Sequence, residues 1–298
     1  NDNSATPAGF VLGTFKSYDS GTHFEQSTAV DYSMEGNVRH DVQPVLTGKD
    51  TYEFTVVNWS DFNWFGPYCR GLDVVTYSVE CLMSPAISSD SAYFINFDDG
   101  LMLDKMPLDA TNTGAWGCYP YSSVNFNDFS SSNMFYSANL GVSWTTTTNP
   151  AGSDGRGMDV DYNTNLIWET SSSTGIYSFA QQASTGTYYD VSAHIPGQMS
   201  GLTVYDGGGY HILIVNTYST GYAYFFDLDD SLNFLGAVPY PYEAFTLNSY
   251  GLAYCASRDT FFWAYQDSVN TNRYLVEMTL TITTSLEQTT WGEIKSTF

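Results

Sequence analysis

Positive charge is the scarcest commodity in this chain: nine Lys plus Arg stand against 32 Asp plus Glu in 298 residues, a formal net charge of −23. Such a field repels phosphate backbones and anionic membrane faces, which argues against nucleic acid as a partner. Charge of either sign is sparse, at 14% of residues against about 25% in an average soluble domain. The surface must therefore be built from Ser, Thr, Asn, Gly and Tyr. Apolar runs of about 18 residues are missing, so no membrane span is expected. Stretches rich in Ala, Leu, Glu and Lys are nearly absent, which leaves little material for helices.

Catalytic signatures are missing as well. There is no G-x-S-x-G elbow, H-E-x-x-H pair, P-loop or Gly-rich dinucleotide turn, and His23, His40, His194 and His211 are scattered along the chain. Gly207-Gly208-Gly209 lies between two apolar runs and reads as a turn. Four cysteines, Cys69, Cys81, Cys118 and Cys255, contain no C-x-x-C, which argues against a zinc framework and leaves disulfides, in any of three pairings, or buried thiols. The chain opens on Asn1 rather than Met, the pattern left by signal-peptide removal, although a trimmed chain opens the same way. A secreted or cell-surface location is the expectation.

What is present is aromatic and β-branched. Aromatics reach 17%, with 24 Tyr, and Tyr, Phe, Trp, Thr and Val suit a pleated, half-buried surface. The expected class is all-β.

Self-similarity refines that class. Gly157-Met158-Asp159-Val160-Asp161-Tyr162 followed by Leu166-Ile167-Trp168 matches Gly201-Leu202-Thr203-Val204-Tyr205 followed by His211-Ile212-Leu213-Ile214, and both match Gly251-Leu252-Ala253-Tyr254 followed by Phe261-Phe262-Trp263-Ala264. Each reads as strand, polar turn, strand. A third strand follows in each unit (175–179, 222–227, 273–280), and a fourth is clear at 233–238. Arg70-Gly71-Leu72-Asp73-Val74 fits the same template, with weaker copies near Ser27 and Ser123. Starts at Ser27, Gly71, Ser123, Gly157, Gly201 and Gly251 are 34 to 52 residues apart, around the propeller blade length of about 40–50.

Phe10-Val11-Leu12-Gly13-Thr14-Phe15 matches the fourth-strand sequence Asn233-Phe234-Leu235-Gly236-Ala237-Val238 but precedes every complete unit. It is expected to close the last blade, leaving no free edge. The prediction is one domain over 1–298: a six-bladed β-propeller of four-stranded blades, with 1–15 as closing strand and 285–298 as a C-terminal tail. The rival is a tandem pair of β-sandwiches. The Gly-Leu-Ala-type starts, aromatic second strands and third strands ending in Asp or Leu resemble secreted bacterial β-propellers of the NHL and glutaminyl-cyclase-like type. The resemblance covers nearly the whole chain but rests on structural motifs, so it implies a fold and no single activity. Thr290-Trp291-Gly292-Glu293-Ile294-Lys295 is also similar to an ending found on exported bacterial proteins.

In a propeller the loops entering the innermost strands open onto one mouth of the central channel. Those positions are Gln26, Arg70, Ser122, Arg156, Ser200 and Tyr250. Arg70 and Arg156 each stand three residues before an aspartate, Asp73 or Asp159, so Arg70, Asp73, Arg156, Asp159 and Tyr250 form the candidate ligand-binding set; pairing of each Arg with nearby carboxylates is the structural alternative. No cofactor is required. Calcium is a candidate ion, because Asp154, Asp159 and Asp161 offer hard oxygen donors, although full EF-hand spacing is missing. Asp98-Asp99 and Asp229-Asp230 read as hairpin turns. Trp59, Trp64 and Trp116 offer either sugar-stacking faces or packing between blades.

The leading functional expectation is a non-catalytic extracellular structural or interaction protein, a self-assembling surface-layer or filament subunit whose termini contact other copies or other cell-surface proteins. The alternative is a carbohydrate-binding or carbohydrate-active propeller, lyase or hydrolase, working on glycans at the channel mouth. A glutaminyl-cyclase-like activity is a third reading, for which no catalytic residue maps onto this chain.

Overall fold

A computed structural model describes residues 15–17, 24–26, 50–65, 69, 71–85, 91–109, 115–118, 123–128, 131–173, 175–218, 220–240, 247–267 and 271–284. Strands β1 (Phe15–Ser17) and β2 (Phe24–Gln26) pair with each other, and β3 (Asp50–Asp61) follows. Blade one comprises β4 (Asp73–Thr76), β5 (Glu80–Pro85), β6 (Ser91–Ile95) and β7 (Met102–Pro107). Blade two comprises β8 (Ala115–Cys118), β9 (Val124–Asp128), β10 (Asn133–Ser137) and β11 (Thr145–Thr148). Blade three has β12 (Gly155–Asp161), β13 (Leu166–Ser171), β14 (Gly175–Ala180) and β15 (Thr187–Asp190). Blade four has β16 (Met199–Gly207), β17 (Tyr210–Thr217), β18 (Tyr222–Asp227) and β19 (Asn233–Pro239). Blade five has β20 (Leu247–Cys255), β21 (Thr260–Asp267) and β22 (Arg273–Thr284), with β3 as its outer strand.

The fold is thus an all-β propeller, and the described residues form five four-stranded blades, not the predicted six. The start expected near Ser27 lies outside the described residues, and the described part of the unit expected between it and Gly71 holds Asp50–Asp61, the outer strand of blade five. The unit expected from Ser123 coincides with the second strand of blade two, Val124–Asp128, because the true first strand, Ala115-Trp116-Gly117-Cys118, lacks the Gly-Leu or Gly-Met start that the alignment followed. The proposed closing strand lies outside the described residues except for Phe15 in β1. Blade five takes its outer strand from Asp50–Asp61, which pairs along the whole of β22 from Tyr274 with Asp61 to Thr284 with Asp50.

Sheets stacked face to face need apolar residues on both faces, and this shows in the middle strands. Along β17, Ile212 and Ile214 pack toward blade five while Leu213 and Val215 pack toward blade three. Five buried clusters result, one at each junction of the ring: four with five around Trp263 and Phe225, three with four around Leu213, five with one around Phe262 and Leu82, one with two around Phe94 and Phe126, and two with three around Met134 and Ile167. The outer strands of blades two and three are polar by contrast: Thr145–Thr148 and Thr187–Asp190 face water along most of their length. The first strand of each blade is innermost, with β12 against β8 and β16, β16 against β20, and β20 against β4.

The repeat glycines are explained at this inner ring. A Cβ on Gly157 would lie 2.6 Å from Gly201 Cα, one on Gly201 would lie 2.4 Å from the Tyr250 carbonyl oxygen, and one on Gly251 would lie 2.5 Å from Leu72 Cβ. Only glycine lets the inner strands approach this closely.

Candidate functional site

Three inner strands enter the ring through a bulge: the register of β12 with β13 shifts between Gly155 and Met158, that of β16 with β17 between Met199 and Leu202, and that of β20 with β21 between Ser249 and Leu252. The bulged residues are Arg156, Ser200 and Tyr250, three of the predicted mouth positions. Their carbonyls accept hydrogen bonds from the second strand of the preceding blade: Asn127 Nδ2 to Arg156 at 3.0 Å, Thr170 Oγ1 to Ser200 at 3.0 Å, and Asn216 Nδ2 to Tyr250 at 3.0 Å. This end of the channel is a set of pins between blades. Ser200 and Tyr250 are buried, and the Tyr250 ring stands edge-on to Tyr218. Arg156 is half-buried and gives its Nη1 to the carbonyls of Ser153 (3.3 Å) and Gly155 (2.8 Å). Arg70 and Ser122 lie outside the described residues.

The open space lies at the other end, where the inner strands leave the ring. A cavity of about 620 Å³ is lined by β4, β12, β16 and β20 and the turns after them. Residues three and five after each repeat glycine recur in its wall: Val74, Val160, Val204 and Tyr254 at the first position, Thr76, Tyr162, Asp206 and Ala256 at the second. Asp73 and Asp159, two members of the predicted set, are brought together here with Glu80, Asp161 and Asp206, whereas Arg156 and Tyr250 are not part of the wall.

Asp159 anchors the floor. Its Oδ2 accepts Thr203 Oγ1 at 2.7 Å and the Val204 N–H at 2.8 Å, and its Oδ1 accepts the Val160 N–H at 2.6 Å. Thr203 Oγ1 in turn accepts the Tyr254 N–H at 2.9 Å, so the network crosses blades three, four and five. Burial pushes the Asp159 carboxyl up to about 6; the three hydrogen bonds oppose that rise and the Asp161 charge adds to it.

At the rim, Asp161 accepts the Asn163 N–H at 2.9 Å and Thr164 Oγ1 at 2.5 Å, and it faces His211 Nε2 at 3.1 Å. Asp206 accepts Asn163 Nδ2 at 3.1 Å, and Glu80 of blade one accepts Ser257 Oγ of blade five. The rim carboxylates therefore tie neighbouring blades together by their hydrogen bonds.

The calcium set does not converge: Asp154 takes Ser172 Oγ at 3.1 Å while Asp159 and Asp161 turn to the partners above. Among the described residues no group of three or more His, Cys, Asp or Glu is placed to hold a metal ion. Cys69, Cys81 and Cys255 are buried free thiols rather than disulfide partners, and burial raises all three, Cys69 to about 12 and Cys81 to about 11. The Cys118 side chain lies outside the described residues. Trp59 is half exposed and stacks on Tyr274, and Trp64 donates its Nε1 to the Gly100 carbonyl at 2.8 Å; both stand away from the cavity wall.

A second buried acid lies between blades two and three. Glu169 Oε1 accepts Asn127 Nδ2 and, at 2.9 Å, Asn149 Nδ2, while Oε2 is buried with no protein partner. Burial pushes this carboxyl up to about 8 against the pull of those amides and of Arg156.

Sequence reasoning missed Glu80, Asp206 and the partnership of Asp161 with His211. A signal for Asp206 was available in the repeat, since Thr76, Tyr162, Asp206 and Ala256 hold one column of the alignment.

No protein-family model matches the sequence, and no curated protein matches it. Among solved structures, glutaminyl cyclase from Myxococcus xanthus aligns with a TM-score of 0.57 at 12% identity, over 77% of this chain and 97% of that one. A chain of a nidogen/laminin complex aligns with a TM-score of 0.50 at 10% identity, over 72% and 84%. A virginiamycin B lyase from Staphylococcus aureus aligns at 0.45 and 12%, over 78% and 74%. At these identities the likeness to the first two supports the β-propeller fold and goes no further.

Proposed function

We propose that the protein is a ligand-binding β-propeller whose site is the cavity at the exit end of the inner strands, and that its ligand is a small organic cation carrying an ammonium or guanidinium group. One observation carries this reading: five carboxylates, Asp73, Glu80, Asp159, Asp161 and Asp206, and no cationic side chain line a cavity of about 620 Å³. That volume falls within the range of about 300–1,000 Å³ typical of small-molecule sites. Tyr162 and Tyr254 in the wall offer ring faces to the same charge. The net charge of −23 draws cations toward the mouth from a distance. We place such a binder outside the cell, in keeping with its polar, weakly charged composition.

Isothermal titration calorimetry with spermidine and agmatine, and with glucose as a neutral control, tests the reading. Both amines bind the native protein, and Asp159→Asn or Asp206→Asn weakens them about tenfold; removing one of several carboxylates near a cation costs on the order of 1–2 kcal/mol in a partly screened site. Absence of amine binding, or binding indifferent to both substitutions, sinks it.

Asp159 favours a second reading, in which the cavity acts on a polyhydroxyl or carbohydrate substrate. A carboxyl held at about 6 suits proton transfer near neutral pH. A glycan screen followed by a pH–rate profile inflecting near that value supports it; a flat profile removes Asp159 from the chemistry. The self-assembling subunit expected from the sequence finds no support among the described residues, since the segments it relied on, 1–15 and 285–298, lie outside them apart from Phe15.

A further inference from the structure

His211, on β17, has a carboxylate oxygen at each ring nitrogen. Nδ1 lies 2.8 Å from Asp229 Oδ1 in the turn between β18 and β19, and Nε2 lies 3.1 Å from Asp161 Oδ1 at the end of β12. An ionised carboxylate only accepts hydrogen bonds, so each contact needs an N–H on the ring. A neutral imidazole has one N–H and an imidazolium has two. Asp161 cannot take the donor's part economically, because its two oxygens already receive Asn163 N–H and Thr164 Oγ1. Asp229 lies on an exposed turn, its side chain 76% open to solvent, and turns an oxygen to the ring. The second proton therefore belongs on the ring.

The surroundings agree. On β16, Asp206 stands opposite His211 in the strand register. On β18, Asp227 turns its Oδ1 to the N–H groups of Asp229 and Asp230. Asp206 and Asp227 are thus engaged elsewhere, Asp206 with Asn163 Nδ2, and the carboxylates that reach the ring are Asp161 from β12 and Asp229 from the turn.

We infer that His211 is a proton-operated bolt: as an imidazolium it fastens the end of β12 in blade three to the β18–β19 turn of blade four at the rim of the cavity, and on losing its proton it releases one of the two. The inference rests on two contacts and is independent of which ligand the cavity takes. Its direction follows from linkage. Burial works against the charge, but the hydrogen bonds and charges of Asp229 and Asp161 win and hold the ring above the usual histidine value. A group raised in the folded state contributes its stabilisation fully below its unfolded value of about 6.5 and loses it as pH rises through the folded value. The rim is fastened in mild acid and loosened in mild alkali.

Imidazole ¹H–¹⁵N spectra of the whole chain, recorded from about pH 5 to about pH 9, test this. His211 is assigned by the signal missing from His211→Gln. The expected result is two protonated ring nitrogens at pH 6 and a midpoint above about 6.5. Asp229→Asn, on an exposed turn, keeps the fold and lowers that midpoint by about half a pH unit. Where His211→Gln folds, its melting temperature falls below native at pH 6 and meets it above pH 8. A single-tautomer ring at pH 6, a midpoint at or below 6.5, or one that Asp229→Asn leaves in place overturns the bolt.

Discussion

Thr203 Oγ1 lies 2.7 Å from Asp159 Oδ2 and 2.9 Å from the Tyr254 backbone nitrogen. Since the Tyr254 N–H must donate, the hydroxyl accepts there and spends its single proton on Asp159. Burial raises the Asp159 carboxyl, and this hydroxyl, reaching in from the neighbouring blade, is among the hydrogen bonds that hold the rise back.

Thr203→Val keeps the shape and removes the donor. A hydrogen bond to a charged group is worth about 1.5–3 kcal/mol, so Asp159 rises from about 6 by about one pH unit. Spermidine binding, followed by calorimetry across pH, falls in the native protein as pH drops through about 6 and Asp159 takes up a proton. In Thr203→Val that fall begins about one unit higher. An unmoved midpoint means that another carboxylate governs binding.

Glu169 yields a stability prediction of opposite pH character to most surface acids. Its folded value, about 8, stands above the unfolded reference of about 4.3, so the folded state holds a proton that the unfolded state has already lost. Stabilisation from this group is complete below the unfolded value and disappears as pH rises through about 8. Glu169→Gln copies the protonated acid and still accepts the Asn127 and Asn149 amides. It is expected to melt with the native protein at pH 4 and higher by about 2–4 °C or more at pH 8. Equal melting temperatures at pH 8 would show the carboxyl to be solvated or otherwise paired.

Much of the architecture was legible because the same physics recurs in every blade. Gly157, Gly201 and Gly251 mark the places where inner strands touch backbone to backbone, and the aromatic and aliphatic second strands mark sheets covered on both faces. The start of blade two was displaced to Ser123 because its first strand, Ala115–Cys118, carries no such glycine, and the count of six followed from the weak copy at Ser27. Asp73 and Asp159 were legible as channel residues, whereas the cavity that they line at the exit end of the inner strands was not. Nothing in the local sequence says that Arg156, Ser200 and Tyr250 bulge and hand their carbonyls to the preceding blade, since the donors Asn127, Thr170 and Asn216 are 29, 30 and 34 residues away.

The glycine ring makes a local test of that argument. Gly201→Ala places a methyl group 2.4 Å from the Tyr250 carbonyl oxygen and 2.9 Å from Leu252 N, and neither backbone atom can turn away. Overpacking of this kind costs about 1–3 kcal/mol or more. Gly209→Ala meets nothing within 4 Å, and its φ of +84° leaves only a backbone penalty of about 1–2 kcal/mol. Urea denaturation should rank Gly201→Ala below Gly209→Ala; the reverse order would mean that the inner strands move apart cheaply.

A cation reaches across the seam between the last blade and the first. Arg258, in the turn after β20, donates Nε to Glu277 Oε1 at 2.8 Å and Nη2 to Oε2 at 3.1 Å, and its Nη1 reaches Asp98 of blade one at 3.1 Å. Glu277 is 3% exposed, so Arg258→Met leaves a carboxylate buried with Thr260 Oγ1, at 2.9 Å, as its remaining side-chain donor. Breaking a buried pair from one side costs about 3–5 kcal/mol, whereas replacing both partners by apolar groups is often close to neutral. Arg258→Met is therefore expected to lower the urea midpoint sharply, and Arg258→Met with Glu277→Met to recover most of the loss. Asp98→Asn separates the seam from the pair: Asp98 is 75% exposed at its side chain, and an exposed ion pair contributes about 0–1 kcal/mol. If the double substitution is no more stable than Arg258→Met alone, the guanidinium holds blades five and one together through Asp98 and Phe97, over whose ring it sits at 5.4 Å, and not by neutralising Glu277.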